Sequence, residues 1–484
     1  MEHIYFLSIL KIYMAEAFSE SLAFTQVKKR AVASRSFRTK ITPSNGNTFN
    51  AGNTIDISLP ANLPGQYYNF NQCYLKFKVA VGGGNDVQLD RVGAPGFIKR
   101  MQISTAGAQI YDCNNWNVLA SCLMDTDSSS EWKASSGNIT MGTLGDQLQG
   151  ETVADGASRT YTVPMMLNPL AMTTPHRMIY AGGLSAIQFR LTLEDAAVAV
   201  KAAAGATLTF TEVELVCLMT ELSPGAQATI DQMTGGQYNI LANSYINSQA
   251  TLPAYGAGVS QTLNANLGVS VSSLERLIIC HRPQVTASQS TAFSLGNRST
   301  AGLTQYSLLI NSEKYPARDV IVGDRGAEVY SELLLADHAL VDFRKGNPIL
   351  NGFAPAGVAL AGTTPKGTSA LSGNAPGYAK NNCFLVEDPA GLTAGATVTG
   401  QAAGASNIGT FQCALELESG LSDGKSSHIY SGISTIASVV QYKGDYFADA
   451  DGAGVRAQTI DFFAQHTVML SLDMRGSGVW SVSV

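Results

Sequence analysis

Charge is scarce in this chain. Only 14% of its 484 residues are Asp, Glu, Lys or Arg, against roughly a quarter in an ordinary soluble domain, which excludes a charge-laced coiled coil and an acidic disordered chain. The net charge of -6 excludes a polycation that seeks nucleic acid over its whole surface. Long apolar runs are also missing. The leader MEHIYFLSILKIY falls short of the roughly 20 residues that span a bilayer, opens with an acid and lacks a small-residue cleavage site. It points to Met14 as the true or alternative start, with a membrane-touching N-terminal segment as the sharper rival. No other stretch is long enough to cross a membrane. The seven cysteines (73, 113, 122, 217, 280, 383 and 413) include no CxxC pair, so they read as buried free thiols of a reducing compartment. The six histidines have no H-x-x-x-H or HExxH spacing, which leaves zinc unsupported. The sequons at Asn138 and Asn297 are expected by chance and carry no weight.

What the chain does have is glycine, 47 residues of it, and 45% apolar residues set in short runs of period two. Ile55, Ile57 and Leu59 alternate with polar neighbours, as do Leu75, Phe77, Val79 and Val81, and again Ile187, Phe189, Leu191 and Leu193. Each run is a strand with one buried face. Across 207–219 the apolar parity changes near Thr211, which predicts a β-bulge. The same grammar returns at Phe411–Leu417, at Val468–Met474 and in the closing Trp480, Val482 and Val484.

Helical signals are few, and two occupy matching places. Residues 97–124 read as strand, glycine turn, strand and a short helix from Asn114 or Asn115. Residues 303–340 read the same way, ending in a helix with Val329, Leu333, Ala336 and Leu340 on one face. One architectural unit is therefore expected twice. The division is 1–40 as leader and basic arm, 41–222 as the first domain, 223–239 as a linker and 240–484 as the second domain. Long Gly/Ala/Ser/Thr stretches at 351–380 and 389–410 are expected to project from an outer surface. Two all-β domains with this strand spacing imply consecutive β-sandwiches of the jelly-roll kind, with a few short helices.

Catalytic patterns are thin. Gly420-Leu421-Ser422-Asp423-Gly424 satisfies G-x-S-x-G, with Asp461 and His466 following in hydrolase order, yet a nucleophile elbow needs a strand-to-helix turn on a mostly parallel sheet. Gly424-Lys425-Ser426 ends like a phosphate-binding loop, but Ser419 stands where its first glycine belongs. Asp445, Asp449 and Asp451 lightly resemble a calcium loop without its closing Glu. These residues read as polar turns, so no catalytic residue, cofactor or metal is expected. One charge run stands out: Lys28, Lys29, Arg30, Arg35, Arg38 and Lys40 lie within thirteen residues that hold no acid. Such an arm suits phosphates of nucleic acid or anionic lipid heads. A solvated leader to the first strand is the plainer reading.

Three segments carry a family likeness: NTFNAGNTIDISLPANLPGQYYNFNQCYLKFKV at 47–79, LTFTEVELVCLMTELSPGAQ at 208–227, and SLERLIICHRP at 273–283 followed by QYSLLINSEKYPARDV with its Tyr315-Pro316 turn. In these the chain resembles the double jelly-roll major capsid proteins of tailless membrane-containing phages, virophages, Polinton-like and adintovirus-like viruses and, more distantly, adenoviruses. The resemblance implies a non-enzymatic virion protein. It would form homotrimeric pseudo-hexagonal capsomers that tile an icosahedral shell around a DNA genome, beside penton and minor capsid proteins. The basic arm would lie beneath the shell, against genomic DNA or an internal membrane. The alternative from another class is a two-sandwich glycan-binding protein or a peptide:N-glycanase-like hydrolase.

Overall fold

In the computed structural model of the chain the described residues run from 34 to 483 and leave out, besides shorter breaks, 254–259, 284–294, 296–302, 322–327, 333–385, 388–407, 417–435, 444–457 and 474–479. Two β-sandwiches stand on either side of one helix. In the first, the long strands Gln66–Gly82 and Thr207–Leu222 pair antiparallel. Strand Ser34–Ile41 lies on the free edge of 207–222, and strand Ser158–Pro164 on that of 66–82. The facing sheet runs Thr54–Ser58, Gln188–Leu193, Ile98–Thr105, Ala108–Cys113. The alternation expected from sequence is what builds this core: Leu75, Phe77, Val79 and Val81 point in, while Lys76, Lys78 and Ala80 between them are only half-buried.

The bulge expected near Thr211 is present. The register with strand 66–82 shifts between Thr211 and Glu214, and Glu212 takes a left-handed φ of 51°, so the strand re-aims its side chains while keeping its place in the sheet. The helix expected from Asn114 or Asn115 is Trp116–Asp127, preceded by Asn115 at φ 50°. Asn is among the few residues that accept this conformation.

Helix Pro224–Thr234 separates the two sandwiches. Ser223 caps it by accepting the Ala226 N–H, Pro224 opens it and Gly235 at φ 63° closes it. Its face is pinned from both sides. Tyr67 of the first sandwich donates to the Gln227 side chain at 2.8 Å, the Gln227 amide donates to Asp231 at 2.8 Å, and the Tyr238 hydroxyl of the second sandwich donates to Asp231. Tyr180 stacks on Tyr238 with ring centroids 5.0 Å apart.

The second sandwich repeats the plan. Strands Gln237–Leu252 and Gln458–Asp473 pair antiparallel along sixteen residue pairs, with Leu274–Pro283 on the other edge of 458–473. Its facing sheet runs Ser260–Asn266, Ile436–Lys443, Leu303–Ile310, Glu313–Ile321. The closing pair of strands here, 303–310 and 313–321, answers the pair 98–105 and 108–113 of the first sandwich, as the repeated unit predicted. Val329, Leu333, Ala336 and Leu340, expected on one helical face, lie outside the described residues. So do the stretches 351–380 and 389–410, apart from the short strand residues 408–409.

Cys73, Cys113 and Cys217 are buried and free, as expected. Cys122 and Cys280 differ: their sulfurs meet, joining helix 116–127 to strand 274–283. The partners lie 158 residues apart in sequence, and only the packing of one sandwich on the other brings them together.

Candidate functional site

Of the six cations in the basic segment, Lys28, Lys29 and Arg30 lie outside the described residues. Arg35, Arg38 and Lys40 belong to strand 34–41 and are exposed. Register with strand 207–222 puts Glu221 opposite Arg35, and the pair closes at 2.6 Å. Lys40 reaches Glu214 at 3.2 Å, and Lys76 on the next strand reaches the same carboxylate at 3.4 Å. Burial pushes the Glu214 carboxyl up, but the two lysines together pull it below the ordinary value. Arg38 has no ion pair among the described residues. The segment is thus half edge strand. Surface pairs of this kind stabilise by at most about 1 kcal/mol each, so Arg35 and Lys40 stay available to an anionic partner.

Of the hydrolase candidates only Asp461 and His466 are described, and they face apart. Gly420 to Gly424, with Ser422, and the Gly424-Lys425-Ser426 run lie outside the described residues, as do Asp445, Asp449 and Asp451. Asp461 and His466 both sit on strand 458–473, which keeps an unbroken register with strand 237–252. Five residues apart on a regular strand, they point to opposite faces of the sheet. They cannot share a proton.

His466 is buried, with Nδ1 3.4 Å from the Ala464 carbonyl oxygen. Burial depresses its pKa, and the Ala464 carbonyl and Glu275 only partly offset this. The unfolded chain therefore takes up the His466 proton first as pH falls. Stability should be lost as pH drops below the unfolded value of about 6.5 and level off below the depressed folded value. Urea unfolding at pH 7.5 and 5.5 should show this loss, and it should shrink in His466→Gln.

Asp461 belongs to a different site, the seam between the sandwiches. Its side chain is fully buried, and Arg282 donates from Nε to one oxygen at 2.5 Å. The other oxygen accepts from the Gln249 amide at 2.6 Å and from Asn115 Nδ2 at 3.1 Å. Asn115 comes from the first sandwich; the other three come from neighbouring strands of the second. A buried carboxylate costs several kcal/mol unless it is paired and hydrogen-bonded, and here both oxygens are satisfied. Around it, Tyr245, Ile278, Cys280 and Phe463 join one buried apolar cluster with the core of the first sandwich.

Leu295 adds a second tie. It is fully buried, donates its backbone N–H to Asp90 at 3.0 Å and packs over Gly96, where an added Cβ would stand 3.1 Å from its Cδ1. Sequence reading missed this seam. The available signal was Asp461 itself, a lone carboxylate inside the apolar run Ile460 to Ala464, which a surface strand would not need.

Among the described residues no group of three or more His, Cys, Asp or Glu side chains could hold a metal ion, and no helix is long and apolar enough to cross a membrane. No protein-family model matches the sequence, and no curated protein does. The fold has clear relatives among solved structures. PBCV-1 VP54, fitted into a reconstruction of the virophage Sputnik, is similar at a TM-score of 0.57 and 10% identity over 95% of this chain and 99% of that one. The mavirus major capsid protein matches at 0.50 and 9% over 96% and 95%, and the Faustovirus major capsid protein at 0.52 and 9% over 96% and 96%. The described residues share their double jelly-roll fold.

Proposed function

We propose that this chain is the shell-forming subunit of a viral capsid, a structural protein of the virion and not an enzyme. The observation that carries the reading is the pair of jelly rolls joined through a buried seam, in a fold shared over nearly the full length of the mavirus and Faustovirus major capsid proteins. A rigid two-barrel unit suits a closed ring: three copies offer six similar barrels, and a heterologous contact that closes after three steps makes a pseudo-hexagonal homotrimer. Such capsomers would tile an icosahedral shell around a DNA genome, meeting penton and minor capsid proteins at its corners and inner face. In this reading 41–222 and 240–484 are the two jelly rolls, with strand 34–41 added to the first and residues 237–239 of strand 237–252 to the second, so that the linker 223–239 narrows to helix 224–234 and its turn, and the stretches 351–380 and 389–410 face outward.

Mass photometry of the protein made from Met14, followed by negative-stain imaging, tests the reading. A species near three times the chain mass with a pseudo-hexagonal outline is the expected result. A clean monomer across salt and pH would overturn it in favour of the two-sandwich glycan-binding or peptide:N-glycanase-like alternative.

The segment 1–40, leader and basic arm, belongs on the inner side, against genomic DNA or membrane lipid. Replacing Lys28, Lys29, Arg30, Arg35, Arg38 and Lys40 by Gln should cut nucleic-acid or anionic-vesicle association several-fold and flatten its salt dependence. The barrels should stay folded, since among the described residues the replacements remove the surface pairs with Glu221 and Glu214 and the Arg35 contact with the Phe37 ring. Packaged nucleic acid and vesicle binding both unchanged would remove the arm's role.

A further inference from the structure

We propose that Cys122 and Cys280 form a redox-controlled cross-link that locks the two barrels together. The observations are positional. Cys122 sits on helix 116–127 of the first barrel and Cys280 on strand 274–283 of the second, and their sulfurs meet. Both residues are fully buried. Cys280 stands directly opposite Asp461 in the sheet register, so the sulfurs share the seam with the Asn115, Gln249 and Arg282 contacts. The Cα atoms are 7.6 Å apart, just past the usual disulfide range of about 4.4–6.8 Å. The bond ties the helix to the strand, and with them one barrel to the other.

The chemistry needs a two-electron oxidant, here a small-molecule disulfide such as oxidised glutathione. One protein thiol loses its proton to solvent, and its thiolate attacks the small disulfide, forming a mixed disulfide and releasing one small thiolate. The second protein thiolate then attacks the protein sulfur of that mixed bond and releases the other small thiolate. Two protein thiols become one protein disulfide, and the small disulfide becomes two thiols. Burial decides the kinetics. Neither sulfur is open to solvent, so exchange waits for the seam to open, during folding or by local unfolding. Once made, the bond is shielded from reductants until the barrels part. A chain folded in a reducing cell thus holds an open seam clasp, and an oxidising exterior closes it.

The test uses the full chain. Protein refolded with oxidised glutathione and digested without reductant should yield a linked peptide pair containing Cys122 and Cys280. Its melting temperature should exceed that of the reduced chain by roughly 5 °C, the size expected for a cross-link closing a long loop. That shift should vanish in Cys280→Ala and in Cys122→Ala. If either variant fails to fold, the wild-type comparison with and without reductant, applied after brief denaturation, gives the same readout. No 122–280 peptide from folded, oxidised protein overturns the proposal, and so does a linked peptide with an unchanged melting temperature.

Discussion

Arg282→Met should lower the unfolding free energy by about 3–5 kcal/mol, because it leaves the Asp461 carboxylate buried without its counter-ion. The Asp461 side chain is 0% exposed and Arg282 only 11%, so solvent cannot take over the lost partner. Gln249 and Asn115 remain as neutral donors, which holds the loss below that of a naked charge. Adding Asp461→Asn to the same chain should recover most of it, since an amide oxygen still accepts from Gln249 and Asn115 while no charge remains to be desolvated. Urea unfolding of the two single variants and the double variant gives the coupling between them directly. A single-variant loss below about 1 kcal/mol, the level of an exposed pair, would show that water reaches the seam. Because Asn115 belongs to the first barrel, the same variant should also weaken the union of the barrels, seen as separate unfolding transitions where the parent shows one.

The strands were legible in the sequence because their signal is local. Leu75, Phe77, Val79 and Val81 declare a buried face by spacing alone, and the parity change at Thr211 declares the bulge at Glu212 and Val213. The paired hairpins 98–113 and 303–321 were legible for the same reason. The seam was not. Asn115, Gln249, Arg282 and Asp461 are scattered over 346 residues of separation, and nothing local marks them as partners. Asp461 could even be grouped with His466 as catalytic until the strand placed them on opposite faces. Arg35, Arg38 and Lys40 read as a free arm because strand 207–222, whose backbone ladder gives strand 34–41 its place in the sheet, lies far along the chain. Cys122 and Cys280 were hidden in the same way. Local periodicity specifies each barrel, whereas the union of the barrels rests on residues whose meaning appears only after both have folded.

Phe97→Ala should cost about 3–5 kcal/mol, in the range of large aromatic deletions from rigid cores. The Phe97 ring is 2% exposed and packs against Phe210, Phe77 and Tyr161, with centroids 5.3, 6.1 and 6.1 Å away. These three rings stand on paired strands: Phe77 lies opposite Tyr161, and Phe210 opposite Val79. The backbone ladders hold the rings apart, so the cavity cannot collapse and the lost contacts are not regained. Phe97→Leu, which keeps most of the apolar volume, should cost roughly 1–2 kcal/mol, and the two midpoints in urea would separate cavity from chemistry. An alanine variant as stable as the leucine variant would mean that the strands close over the gap. Phe97 ends the turn Ala94–Phe97, whose Gly96 lies under Leu295 of the second barrel. Loosening this ring therefore reaches the seam from inside the first barrel. If the chain assembles as the proposed trimer and that assembly needs the two barrels held as one body, Phe97→Ala should lower trimer yield in proportion to its loss of stability, although Phe97 itself lies buried within the chain.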